Sequence, residues 1–302
     1  MRGTPTQAGM AAATASYCIW GLLPIYWKLL GEVPPVEILG HRMAWSLPFT
    51  IFFVFISRRH LSSPYLRDWA ILKRSLACSS LLAANWLIYI WAVNSGYIVE
   101  TSLGYYVNPL VSVAFGVIFI KERLRSGQIG AILLAAIGVI YLTFGYGRFP
   151  WIAMALAMTF ATYGLLHKQT RIAPLESLHL ETLIFFIPAV AFLMIRGLYG
   201  TGAFLHAKPS VMIMLVGTGL VTTIPLLLFG YAAQNISLSM LGVLQYIAPT
   251  LNLLIGVFLY HEEFPASRLI GFMLVWSGLL VYMIEGGVHK VRHSRLRLGN
   301  PT

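Results

Sequence analysis

Hydrophobic positions gather into long, unbroken runs separated by short polar stretches. Gly9 to Leu30, Val36 to Ile56 and Leu76 to Val93 each approach the roughly 20 residues that cross a bilayer as a helix. Lipid offers the backbone no hydrogen-bond partner, so such runs form helices or a closed barrel. Barrel strands alternate in polarity over about 10 residues. These runs do not alternate, so helices are predicted. Ten spans follow, over 9–30, 36–57, 75–95, 101–120, 126–146, 150–168, 177–196, 211–232, 237–260 and 266–284. The connecting loops are too short to hold a soluble domain of ordinary size.

Composition agrees with this pattern. The chain is 58% hydrophobic and 10% charged, against about 25% charged in a soluble domain. The formal net charge of +11 raises the question of nucleic acid. However, the basic residues sit in small clusters between apolar runs, as in cytoplasmic membrane loops, so no nucleic-acid partner is expected. With the N-terminus inside, 15 basic residues fall on the cytoplasmic side and Lys28, Arg148, Arg196, Lys208 and Arg268 on the other. Arg42 remains, within span 2. This bias predicts a multi-pass protein with both termini cytoplasmic. Cys18 and Cys78 lie in separate spans and read as small buried residues rather than a metal motif. The first apolar run is too long and too aromatic for a cleavable leader, so span 1 is expected to be retained.

An internal repeat organises the spans. YVNPLVSVAFGVIFIKERL at 106–124 matches YIAPTLNLLIGVFLYHEEF at 246–264 with an offset of 140. Tyr106 meets Tyr246, Pro109 meets Pro249, Gly116 meets Gly256 and Glu122 meets Glu262. Near the starts of the halves, Trp20-Gly21-Leu22-Leu23 pairs with Tyr163-Gly164-Leu165-Leu166, while span 2 does not align cleanly with span 7. The expected organisation is a five-helix unit over 1–148, a second over 149–285 and a basic cytoplasmic tail over 286–302. Five is odd, so the second unit enters the membrane from the opposite side. The predicted fold class is therefore an all-α membrane protein of ten transmembrane helices in two inverted five-helix repeats, an arrangement suited to alternating access.

The stretches at 20–47 (WGLLPIYWKLLGEVPPVEILGHRMAWSL), 85–124 (NWLIYIWAVNSGYIVETSLGYYVNPLVSVAFGVIFIKERL) and 241–264 (LGVLQYIAPTLNLLIGVFLYHEEF) resemble the RarD-type proteins. These are bacterial members of the EamA branch of the drug/metabolite transporter superfamily. The resemblance covers nearly the whole chain. It implies a carrier in the bacterial inner membrane with an exporting role, and it identifies no substrate.

Polar side chains inside spans are costly, which makes each a site candidate. Span 3 offers Asn85, Trp86, Tyr89 and Asn94. Span 4 carries Tyr105, Asn108 and Ser112 on one stripe, and span 9 carries Gln245, Pro249 and Asn252 on another. Trp20 and Tyr163 are added as stacking surfaces. These residues predict a cavity for a small amphipathic or aromatic molecule, held without cofactor or metal. Pro24, Pro109 and Pro249 each remove a helical hydrogen bond and are expected to break their helices locally. Glu37, His41 and Arg42 in span 2, with His179 and Glu181 in span 7, are candidates for gating or proton coupling. The bland reading for each polar group is interhelical bonding. The expected partners are the small-molecule substrate and the lipid bilayer, with a homodimer as the candidate assembly. A channel or facilitator without ion coupling is the alternative. A membrane enzyme fits less well, because the chain holds no HExxH, GxSxG or Walker sequence.

Overall fold

A computed structural model describes residues 5–57, 68–94, 97–144, 149–170, 172–261 and 266–298, with side chains placed except at 5, 93–94, 98–100, 102, 266–268 and 286–298. The described residues are helical apart from their connections. The helices are α1 (Pro5–Leu29), α2 (Pro35–Ile56), α3 (Trp69–Asn94), α4 (Ile98–Ile118), α5 (Ser126–Phe144), α6 (Trp151–Gln169), α7 (Pro174–Leu198) and α8 (Pro209–Asn235). A broken element follows, made of α9 (Leu238–Gln245), α10 (Ile247–Leu254) and a π turn (Ile255–Leu259). The last helix, α11, runs over Ala266–Leu298 and so continues well past the expected end of the tenth span.

Seven helical stretches among the described residues are long and apolar enough to cross a membrane: Thr6–Leu29, Pro35–Ile56, Trp69–Ala92, Ser126–Phe144, Pro174–Leu198, Pro209–Asn235 and Leu238–Leu259. Leu103–Ile118 and Leu269–Glu285 are shorter apolar helices. Helix α6 is in neither group, and its burial explains why. Ile152, Ala153, Ala157, Ala161 and Tyr163 are almost fully enclosed by other helices. A helix sheathed in protein need not be uniformly apolar, and α6 spends its polar side chains on its neighbours.

Helix starts follow local chemistry. Prolines occupy the first turn of α2, α7 and α8, where the missing N–H costs nothing. Ser237 caps α9 by accepting from Met240 N at 3.1 Å. The Glu122 carboxylate, just beyond α4, accepts from Leu238 N (2.5 Å), Ser239 N (2.9 Å) and Ser239 Oγ (2.5 Å). An acid therefore sits on the exposed donors and positive dipole end of α9.

Packing pairs α5 with α11, α4 with α6 and α9, α1 with α8 and α10, α2 with α7 and α8, and α3 with α6. Where α4 crosses α9, Tyr246 Oη donates to Tyr106 O at 3.2 Å, and a Cβ at Gly242 would lie 2.7 Å from Pro109 O. Among the described residues, two non-glycine residues adopt positive φ, Lys121 at 59° and His261 at 54°. They stand 140 positions apart and close corresponding elements with the same left-handed turn. Pro48 in α2 and Pro188 in α7 also stand 140 apart, a correspondence that the surrounding sequence hides.

Among the described glycines, the closest approach to another helix's backbone lies between α2 and α8. A Cβ at Gly219 would lie 2.5 Å from the carbonyl carbon of Trp45. Backbone cannot yield as a flexible side chain can. Gly219→Ala is therefore expected to lower stability by about 1–3 kcal/mol, the usual cost of overpacking. Equilibrium unfolding of purified protein in mixed micelles measures this, and an unchanged midpoint would contradict the close approach.

A candidate substrate cavity

A cavity of about 170 Å³ lies between α1, α2, α3, α4, α6, α8 and the broken α9–α10 element. For scale, an apolar cavity of about 150 Å³ accommodates benzene. The space therefore suits one ring with small substituents. Of the residues expected to meet a substrate, Trp20, Asn85, Trp86, Tyr89, Tyr105, Asn108, Gln245 and Asn252 line it. Tyr105 and Asn108 of the α4 stripe face the same space as Gln245, Pro249 and Asn252, whereas Ser112, the third member of the α4 stripe, is buried against Gly242.

Proline placement helps to shape the wall. Pro24, Pro109 and Pro249 supply no N–H to the carbonyls of Trp20, Tyr105 and Gln245, four residues earlier in each case. The side chains of those three residues all line the cavity. Pro24 and Pro249 line it as well. Pro109 stands behind it, against Gly242. The helix break at Tyr246 and the π turn after Leu254 keep the α9–α10 segment from forming one regular helix.

The polar lining divides into committed and uncommitted groups. Asn85 donates to Leu156 O and Thr159 Oγ1, each at 2.9 Å, and so binds α3 to α6. The buried Oδ1 atoms of Asn108 and Asn252 have no hydrogen-bond partner. Tyr89 and Tyr105 meet edge-on, with ring centroids 6.1 Å apart.

Arg42, expected among gating or coupling residues, lines the cavity. Its Nε donates to Thr222 Oγ1 at 3.0 Å. Its guanidinium lies 4.2 Å from the centroid of the Trp86 ring and 5.0 Å from that of Trp27. These are favourable cation–π contacts.

The other gating candidates lie elsewhere. Glu37 Oε1 accepts from Ala203 N at 2.5 Å, and Arg196 donates to Oε2 at 3.3 Å, which ties α2 to the α7–α8 connection. His41 Nε2 is 4.0 Å from Glu37 Oε1, and its ring packs on Phe204. His179 Nδ1 meets Thr50 Oγ1 at 3.2 Å. Tyr163 does not line the cavity. It is fully buried and donates to Glu181 Oε2 at 3.1 Å. The Asn94 side chain lies outside the described residues.

Sequence reading missed His167. It is buried between α6 and α7, with Nε2 3.0 Å from Glu181 Oε1, and Ser177 Oγ donates to the same oxygen at 2.9 Å. Its neighbour Lys168 made the position look like a membrane-edge residue. The Cys78 thiol completes a buried three-residue group whose ligating atoms lie within 4.8 Å of one another. The aromatic cluster of Tyr17, Trp20, Phe160, Tyr163 and Phe229 separates this group from the cavity.

This membrane-embedded helical fold around a polar–aromatic cavity is that of a transporter. The model of the EamA-like transporter family matches residues 7–144 and again 150–284. The chain is 42% identical to Protein RarD of Streptomyces exfoliatus, over 97% of this chain and 93% of that one. It is 39% identical to the uncharacterized transporter YojE of Bacillus subtilis, over 93% and 95% of the two chains. It is 36% identical to Protein RarD of Escherichia coli, over 94% and 97%. A solved crystal structure superposes with a TM-score of 0.70 at 19% identity, covering 92% of this chain and 98% of the other, a likeness of fold alone. The chain belongs to the EamA-like transporter family and is of the RarD type.

The commitment of Asn85 to α6 is testable. Asn85→Ala is expected to cost about 0.6–1.7 kcal/mol, the range of interhelical hydrogen bonds in membranes, in an SDS unfolding titration. Unchanged stability would mean that these two bonds do not hold α3 to α6.

Proposed function

We propose that this protein is an alternating-access carrier that exports a small ring-bearing, amphipathic metabolite across the bacterial inner membrane. The observation that carries the reading is the cavity itself. Helices from both five-helix units build it, and Tyr105 and Gln245, one from each unit, stand in its wall at the 140-residue offset.

Ten spans are proposed, with α9, α10 and the π turn acting as one broken ninth span. The helix pairings support two related halves, which we take to be inverted. Helix α1 packs on α8 as α6 packs on α3, α2 on α8 as α7 on α3, and α4 on α6 as α1 on α10. The pairs α4 with α9, α2 with α7 and α5 with α11 are each their own counterpart under that exchange. Halves of this kind can exchange conformations and so carry a central site from one face to the other.

The loop charge bias puts both termini in the cytoplasm. On that orientation, Glu122 at the start of α9 and the His167–Glu181 group close the cytoplasmic side. Tyr89 and Tyr105, each more than a third exposed, lie toward the outer side. The arrangement then corresponds to an outward-facing state.

A counterflow screen of labelled aromatic metabolites in proteoliposomes tests the carrier. Saturable exchange is expected, and Trp86→Ala is expected to weaken it by about tenfold through loss of an aromatic wall contact. Exchange of inorganic ions alone would contradict the reading. Flux without saturation would favour a channel, and product formation without net transport an enzyme.

Proton coupling is assigned to Glu181 with His167, supported by their buried 3.0 Å contact. The titratable neighbours are Tyr163 on α6 and Cys78 on α3, with Arg74 interacting with Cys78. Helix α8 presents Phe229 and Gly230 to His167. Glu181→Gln is expected to flatten the pH dependence of exchange while folded protein is retained. An unaltered pH profile would remove the assignment.

A further inference from the structure

We infer that the cavity selects an anionic group, with Arg42 as its receptor, on a small aromatic ring that also carries a hydrogen-bond donor. The inference rests on the carrier reading above and names the substrate class of that same cavity.

Among the described residues, Arg42 is the only Lys, Arg, Asp or Glu in the cavity lining. None of the ion pairs among the described residues includes it. The nearby acid, Glu37, is engaged by Ala203 N and Arg196. A guanidinium has five N–H donors, and Thr222 takes one of them. The rings of Trp86 and Trp27 interact with its charge but accept no in-plane hydrogen bond. Among the described residues, the guanidinium is thus positioned by one hydrogen bond and two rings and has no counter-ion. A carboxylate or similar oxyanion matches its remaining donors in both charge and shape. A cationic ligand in the same space would meet like charge.

The rest of the lining narrows the class. Trp20, Trp86, Tyr89 and Tyr105 offer ring faces and edges, and the volume of about 170 Å³ limits the occupant to about one ring. The unpartnered Oδ1 atoms of Asn108 and Asn252 accept from a donor. A hydroxyl or amino substituent on the ligand would satisfy either. A small aromatic carboxylate with one such substituent meets all three demands.

Three probes of similar size vary the charge on one ring: 4-hydroxybenzoate, its isostere 4-hydroxybenzamide, and the cationic 4-hydroxybenzylamine. Binding to the purified full-length protein is followed by intrinsic fluorescence, since Trp27 and Trp86 flank the receptor, and by thermal stabilisation. The carboxylate is expected to bind saturably, the neutral amide about tenfold more weakly or worse, as loss of a charge-assisted hydrogen bond implies, and the amine not measurably. Arg42→Gln is expected to bring the carboxylate within about twofold of the amide. Arg42→Lys, which keeps the charge and loses the planar fork, should retain part of the preference and guards against a folding defect in the first variant. Equal or tighter binding of the amide or amine would overturn the inference, as would a preference that survives Arg42→Gln. Absence of saturable binding by all three probes would overturn it too. Each of these results leaves the carrier reading to the counterflow screen, where neutral or cationic aromatics would then be the ones exchanged.

Discussion

A peptide group in lipid has no solvent to fall back on, and this constraint shapes the whole molecule. It forces the long apolar runs into helices and leaves irregular backbone only where protein or a cavity can receive it. The break in the ninth element accordingly lies inside the bundle, although the π turn that follows has no buried residue. The break at Tyr246 abuts α4 through the bond to Tyr106 O. The carbonyls that Pro24, Pro109 and Pro249 deprive of a donor belong to residues whose side chains line the cavity. Helices α1 and α4 nevertheless run on through Pro24 and Pro109, contrary to the expected breaks, and of the three only the α9–α10 element is interrupted where it forms the wall of the site.

Two carboxylates, the buried Glu37 and the half-buried Glu122, show a second use of backbone. Glu37 receives a main-chain N–H from the α7–α8 connection, and Glu122 receives two from the start of α9. Glu122 lies where the first donors of α9 would otherwise go unsatisfied, and Glu37 takes up a donor of a loop. Arg42 contrasts with both. Its charge is stabilised by aromatic faces and one hydroxyl rather than by an opposite charge, and it faces open space.

Much of the architecture was legible in the sequence because apolar length and composition report directly on helices in lipid. Helix α6 is instructive, because it is expected over 150–168 and is found at Trp151–Gln169. It meets no measure of a long apolar span, because enclosure by protein relaxes the demand for apolar residues. The offset of 140 was readable in the fourth and ninth spans, where Tyr, Pro, Gly and Glu recur. It was hidden in the second and seventh, where Pro48 and Pro188 are isolated matches. Within the site, polar residues far from span ends, such as Asn85, Asn108 and Asn252, stood out against an apolar background and do face the cavity. Sequence could not say that Asn85 is already engaged by α6. Tyr163 looked like a substrate surface because it is aromatic and recurs with Trp20, yet its hydroxyl serves Glu181. His167 passed unnoticed because nothing in a linear chain separates a buried histidine near a helix end from a solvated one. Arg42 was visible, but whether it faced inward or outward depends on helix rotation, which packing sets.

The grip of Glu122 on α9 also bears on how this protein records its own history. Two of its partners are peptide N–H groups of Leu238 and Ser239, which persist whatever side chains those positions carry. Selection can then hold the acid fixed while leaving the opposing positions largely free. Such a contact produces little correlated substitution between its two ends. Reconstructions that infer proximity from paired changes among descendants would therefore be nearly blind to a junction that ties the two halves together.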